Sequence, residues 1–174
     1  MGSFWRTIGS VSWVLVLAAV AVVPQPMEAQ NAETEWITDH VLYVEQEDPF
    51  AEGGAYGVRA FEEPRGSGFQ DGKLTVRCMD GTLDVIVSGE YYGDDARPVV
   101  WRFDDGEVHT GRWGISTDGD AVFAPDVIER EIVDSAKRAR TFHIRIEDYN
   151  GTRITYSIPL NGITAAVGRG MPCL

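Results

Sequence analysis

From Lys73 onward the chain alternates apolar and polar residues with a period of two, and the runs are punctuated by Asp-Gly and Asn-Gly pairs. Leu74, Val76 and Cys78 alternate with Thr75, Arg77 and Met79. Successive side chains of a strand point to opposite faces, so this pattern gathers the apolar groups on one face. Asp80-Gly81 can take positive φ at both positions, which folds the strand back as a tight hairpin. The return strand places Leu83, Val85 and Val87 against Asp84, Ile86 and Ser88. A helix-period core cannot be built from such runs.

The same pattern repeats downstream. Val99, Trp101 and Phe103 alternate with Val100, Arg102 and Asp104, and Asp105-Gly106 turns the chain into a strand from Val108 to Ile115 that carries Trp113. Asp118-Gly119 precedes the short run Ala121-Val122-Phe123. Phe142, Ile144 and Ile146 are answered, after a predicted type I′ turn at Asn150-Gly151, by Ile154, Tyr156, Ile158 and Leu160. Upstream, Ala55 to Phe61 reads as a strand with Tyr56, Val58 and Ala60 on one face, and Trp36-Ile37 and Val41 to Val44 form an early apolar patch. The loop from Glu62 to Gly72 is rich in Gly, Pro and Ser.

One stretch changes period. Between Pro125 and Arg140, Val127, Ile128, Glu131 and Ile132 fall at helical spacing, followed by Ser135 and Ala136. Pro125 suits the first turn. Asp126 and Glu129 lie early and Lys137, Arg138 and Arg140 late, matching the helix dipole. A shorter apolar turn or helix is expected from Ile163 to Val167. The expected fold is mainly β, an antiparallel sandwich or barrel-like domain with one packed helix.

Residues 1–29 read as a signal peptide. Arg6 is the only early charge, an apolar run is densest from Trp13 to Val23, Pro24 and Pro26 break it, and Ala29 supplies a small residue before Gln30. The alternative is an uncleaved anchor, although a spanning helix needs about 20 apolar residues. Residues 30–174 then form a single exported β-rich domain, periplasmic or secreted, without stable membrane insertion after cleavage. The two cysteines, Cys78 and Cys173, are 95 positions apart, and in an exported chain they are expected to pair. A formal charge of −12 disfavours nucleic acid and anionic membranes as partners.

No catalytic constellation is legible. His40, His109 and His143 lack zinc spacing, and His109 and His143 fall on the polar side of their strands. Gly66-Ser67-Gly68 sits in a loop without the strand–turn–helix context of a nucleophile elbow. The acidic pairs Asp94-Asp95, Asp104-Asp105 with Glu107, and Asp118 with Asp120 could serve a glycosidase or a cation. Each lies beside a Gly at a turn, where Asp is favoured for backbone reasons. Trp101, Phe103, Trp113 and Phe123 could line a sugar-binding face, yet Trp101 and Phe103 continue the inward period of Val99 and the group reads better as core. No metal or cofactor is expected.

Leu74-Thr75-Val76-Arg77-Cys78, Val99-Val100-Trp101-Arg102-Phe103-Asp104, and Trp113-Gly114-Ile115-Ser116-Thr117-Asp118-Gly119 followed by Ala121-Val122-Phe123 together resemble the type VI secretion-associated accessory proteins of the VasI/TagO type. Trp36 and Asp48-Pro49-Phe50 fit the opening of that family. Trp101 stands where the family has Tyr, and the Pro172-Cys173-Leu174 ending departs from its usual one. The resemblance implies a non-enzymatic, exported accessory or interaction protein whose partner is an envelope protein or glycan. An envelope binding module, lectin-like or hydrolase-inhibitor-like, is the alternative.

Overall fold

Every alternating run becomes a strand in the computed structural model, which describes residues 32–46, 54–67 and 72–174. The leader expected over 1–29 and the Asp48-Pro49-Phe50 stretch lie outside the described residues. In chain order the elements are β1 (Ala32–Trp36), β2 (Val41–Gln46), β3 (Ala55–Phe61), β4 (Lys73–Met79), β5 (Thr82–Ser88), β6 (Arg97–Phe103), β7 (His109–Ile115), β8 (Ala121–Phe123), α1 (Asp126–Ala136), β9 (Thr141–Glu147), β10 (Arg153–Pro159) and α2 (Ile163–Val167). The early apolar patch thus supplies β2, and β1 lies mostly in the polar residues before it, which the sequence pattern did not define as a strand.

The strands form one antiparallel sheet in the order β1-β2-β3-β4-β5-β8-β7-β6-β9-β10. The sheet folds over, so that β10 at one edge meets the far half. The Ser157 N–H of β10 donates to Glu62 Oε1 just after β3 at 2.8 Å. Tyr156 Oη accepts from the Glu90 N–H and from the Tyr92 hydroxyl, each at 3.2 Å. Burial pushes the Tyr92 hydroxyl far above its usual range. Between the halves lies the core predicted by the alternation: Leu74, Val76, Val85, Val87, Val99, Trp113, Phe142, Ile144, Ile146 and Ile158 are all buried.

Two hairpins show how turn chemistry fixes register. Asp80 and Gly81 both take positive φ, 53° and 76°, and Met79 pairs directly with Thr82. That is the two-residue type I′ geometry expected. The Asn150-Gly151 turn differs from expectation. Only Gly151 has positive φ, and its N–H donates to the Asp148 carbonyl at 3.1 Å. This is a type I turn followed by a left-handed Gly. The Asp148 carboxylate decides it by accepting from the N–H groups of Asn150 and Thr152 at 2.8 and 2.7 Å.

The helix α1 is also shifted from its predicted face. Val127 is 91% exposed, while Glu129, Ile132, Val133 and Ala136 are buried. The helix ends at Ala136, so Lys137, Arg138 and Arg140 follow it rather than fill its last turn. The buried Glu129 has a backbone task. On β5, β8 reaches only Ile86–Ser88, which leaves Val85 without a strand neighbour on that side. The Ala124 N–H donates to the Val85 carbonyl at 2.9 Å, and the Val85 N–H donates to Glu129 Oε1 at 3.0 Å. A carboxylate here substitutes for the missing ladder partner.

Burial raises the Glu129 carboxyl above its usual range, the Val85 N–H opposes this, and Asp84 and Asp126 reinforce it. The folded chain therefore holds this proton more tightly than the unfolded one. The associated stability is complete below the ordinary carboxylate range and is lost as pH rises through the raised value. Glu129→Gln keeps the acceptor and removes the charge. Its stability relative to wild type is expected to rise with pH from about 4 to 7, read by urea unfolding at each pH. Glu129→Ala should cost about 1–3 kcal/mol by leaving the Val85 N–H unpaired. A Gln variant as damaged as the Ala variant at pH 7 would show that the carboxylate charge is needed.

The tail closes the structure. Ile163, Ala166 and Val167 of α2 are buried, and Cys173 is bonded to Cys78 with the two Cα atoms 5.9 Å apart. Arg130 of α1 donates to the Cys173 carbonyl at 2.9 Å, and Arg169 pairs with Glu35 of β1. Such a disulfide forms and persists in oxidising surroundings. Among the described residues no helix is long and apolar enough to cross a membrane.

Candidate functional site

The four aromatics grouped by the sequence separate in space. Trp113 is fully buried, and its ring tilts against Trp101 with centroids 5.5 Å apart. Phe103 packs on Phe142 at 5.0 Å. Phe123 stands opposite Ile86 and Gly114, on the face away from inward Val122. The exposed aromatic platform that a sugar-binding face requires is therefore not built from these residues.

The edges of Trp101 and Phe103 do reach a recess of about 220 Å³ beside α1, which also involves His109, Ile128, Glu131 and Ser135. His109 shares the inward parity of Trp113, contrary to its sequence assignment, and stacks on Trp101 at 5.5 Å with the planes 18° apart. Glu131 and Ser135 lie one helical turn apart on α1. A nucleophile needs its base within hydrogen-bond reach, and among the described residues no hydrogen bond joins Ser135, His109 and Glu131.

The acidic pairs are engaged locally. Asp104, at φ 50°, accepts from the N–H groups of Arg140 and Thr141 at 3.0 and 2.9 Å and so ties the end of β6 to the start of β9. Its role is more than turn formation. Asp120 accepts from the Ser116 hydroxyl at 3.2 Å, and Asp94 from the Tyr91 hydroxyl at 2.9 Å. Among the described residues no group of three or more His, Cys, Asp or Glu is placed to hold a metal.

A different surface emerges on the solvent face of β6, β9 and β10. Register places Val100 opposite Arg145 and Arg145 opposite Thr155, while Arg102 faces His143 and His143 faces Ser157. On either side stand Arg112 of β7, opposite Pro98, and Arg153 of β10, opposite Glu147. Four arginines and a histidine thus share one face of a chain whose net charge is −12. Within it runs a groove of about 360 Å³ lined by Val100, Arg102, Val108, His143, Arg145 and Thr155.

Arg102 and Arg153 meet carboxylates on this face, whereas the partners of Arg145 and His143 are hydroxyls. Arg145 Nε donates to Thr155 Oγ1 at 3.3 Å, and His143 Nδ1 lies 3.0 Å from Ser157 Oγ. Arg102 meets Asp105 at 3.7 Å, but Asp105 is fully exposed, where such a pair contributes little. Arg153 lies 3.8 Å from Glu147. Arg145 has no carboxylate partner among the described residues. Sequence reading passed over these arginines because each appears singly, on alternate positions of strands distant in the chain. Only the register assembles them.

No protein-family model and no curated protein matches this chain. In fold it is similar to the crystal structure of invasion associated protein b from Bartonella henselae, with a TM-score of 0.55 and 14% sequence identity. The match covers 79% of this chain and 94% of that one.

Proposed function

We propose that the chain is an exported accessory domain that binds a partner in the cell envelope without transforming it, in the manner of the type VI secretion-associated proteins its sequence resembles. The observation that carries the reading is the arginine-bearing face of β6, β9 and β10. On an acidic chain a concentrated cationic face marks the surface where an anionic partner gains most. The Cys78–Cys173 bond supports residence in an oxidising compartment. Burial of Trp113 counts against the lectin-like alternative.

The test is site-specific photocrosslinking in the source cells. A crosslinker replacing Val108, which is 56% exposed and borders the groove, should give a discrete envelope adduct. One replacing Arg59, exposed on β3 in the other half of the sheet, should give none. The adduct should contain a chain that starts near Gln30. Identical adducts from both positions, or none from position 108, would overturn the reading.

A further inference from the structure

The groove on the arginine face has the chemistry of a site for a doubly charged oxyanion. On the antiparallel pair β6–β9, Arg102 and Arg145 occupy diagonal corners, with Val100 and His143 on the other two. Diagonal side chains start about 7–8 Å apart, within reach of long residues. Both arginines line the groove, as does His143. Like charges facing one groove repel each other unless an anion lies between them, and Asp105 is too exposed to serve.

The flanking hydroxyls already hold the donors in place. Thr155 takes Arg145 Nε, which leaves the outer guanidinium nitrogens without a partner among the described residues. Ser157 engages His143 Nδ1, which leaves Nε2 likewise. A carboxylate carries one charge and would satisfy one guanidinium. A phosphate monoester carries nearly two at neutral pH, with three acceptor oxygens that several donors can share. The groove offers Thr155 and two valines around the arginines, and Trp101, which also borders it, is only 7% exposed, so recognition centres on the anion rather than on stacking.

Resting on the reading of this face as the binding face, the geometry points to a phosphate-monoester site formed by Arg102, Arg145 and His143, with a phosphorylated envelope sugar as its occupant. The groove is far smaller than a membrane footprint, and a chain of charge −12 is repelled by anionic bilayers.

Amide chemical shifts of the oxidised domain, titrated separately with inorganic phosphate, glucose 6-phosphate, glucose and a short oligoglutamate peptide, test the assignment. Both phosphates should shift amides at positions 100–102, 143–145 and 155, with glucose 6-phosphate tighter than phosphate, and glucose should shift none. The double change Arg102→Gln with Arg145→Gln should weaken phosphate binding at least tenfold, with unaltered melting. Arg59→Gln should leave it unchanged. Phosphate binding with no gain or a loss for the sugar ester would overturn the sugar as occupant. Absence of both phosphate responses would overturn the site. If the peptide alone binds, the groove takes an acidic protein segment and the interaction face stands, whereas failure of the photocrosslinking experiment removes the face itself.

Discussion

Trp113→Ala is expected to cost about 3–5 kcal/mol, the range for deleting a large aromatic from a packed core. Trp113 is fully buried on β7 and tilts against Trp101. The cavity would open where β7 joins the two halves of the sheet, with β8 on one side and β6 on the other. Neither the covalent crosslink nor the short β8 can close it. Trp113→Phe should cost less, about 1–2 kcal/mol, because the indole N–H has no hydrogen-bond partner among the described residues to forfeit. Urea unfolding with a constant m value measures both. Equal losses for the two variants would mean that the ring nitrogen, and not the volume, matters.

Cys173→Ser is expected to cost about 2–5 kcal/mol by releasing the bond to Cys78. Cys78→Ser should cost at least as much, since Cys78 is 1% exposed on the inward face of β4 and the change places a hydroxyl in the core. Wild type under reducing conditions should fall to the stability of Cys173→Ser. Melting of both variants at the oxidised wild-type temperature, or two titratable thiols in the purified protein, would remove the clamp from the account.

The alternation made the central strands legible because it is a one-dimensional record of which face is buried. β4, β5, β9 and the short β8 could be drawn from the sequence, as could the Asp80-Gly81 hairpin. The edge of the fold could not. β1 is largely exposed and has no inward period to read, and β2 was visible only as an apolar patch. The face of α1 was misread for a physical reason. Its most buried polar group, Glu129, is held inside by the Val85 N–H, which belongs to a strand 44 residues away. A hydrophobic pattern counts such a residue as exposed. The arginine face was illegible for the same reason. Arg102, Arg145 and Arg153 become neighbours only through the β6–β9 and β9–β10 registers.

The Cys78–Cys173 bond also makes the molecule mechanically asymmetric. β1, β2 and β3 lie outside the covalent ring, attached to it by the antiparallel ladder between β3 and β4 and by packing. A pull from the β1 end would unzip these strands in turn and then load β4 at Cys78. A pull from beyond Cys173 passes through the sulfurs directly into β4, in the middle of the sheet. The chain between the cysteines, whose positions are 95 apart, carries no tension in either case, so roughly 300 Å of extended chain stays hidden until the bond is reduced. Reduction thus converts a short, stiff tether into a long, compliant one.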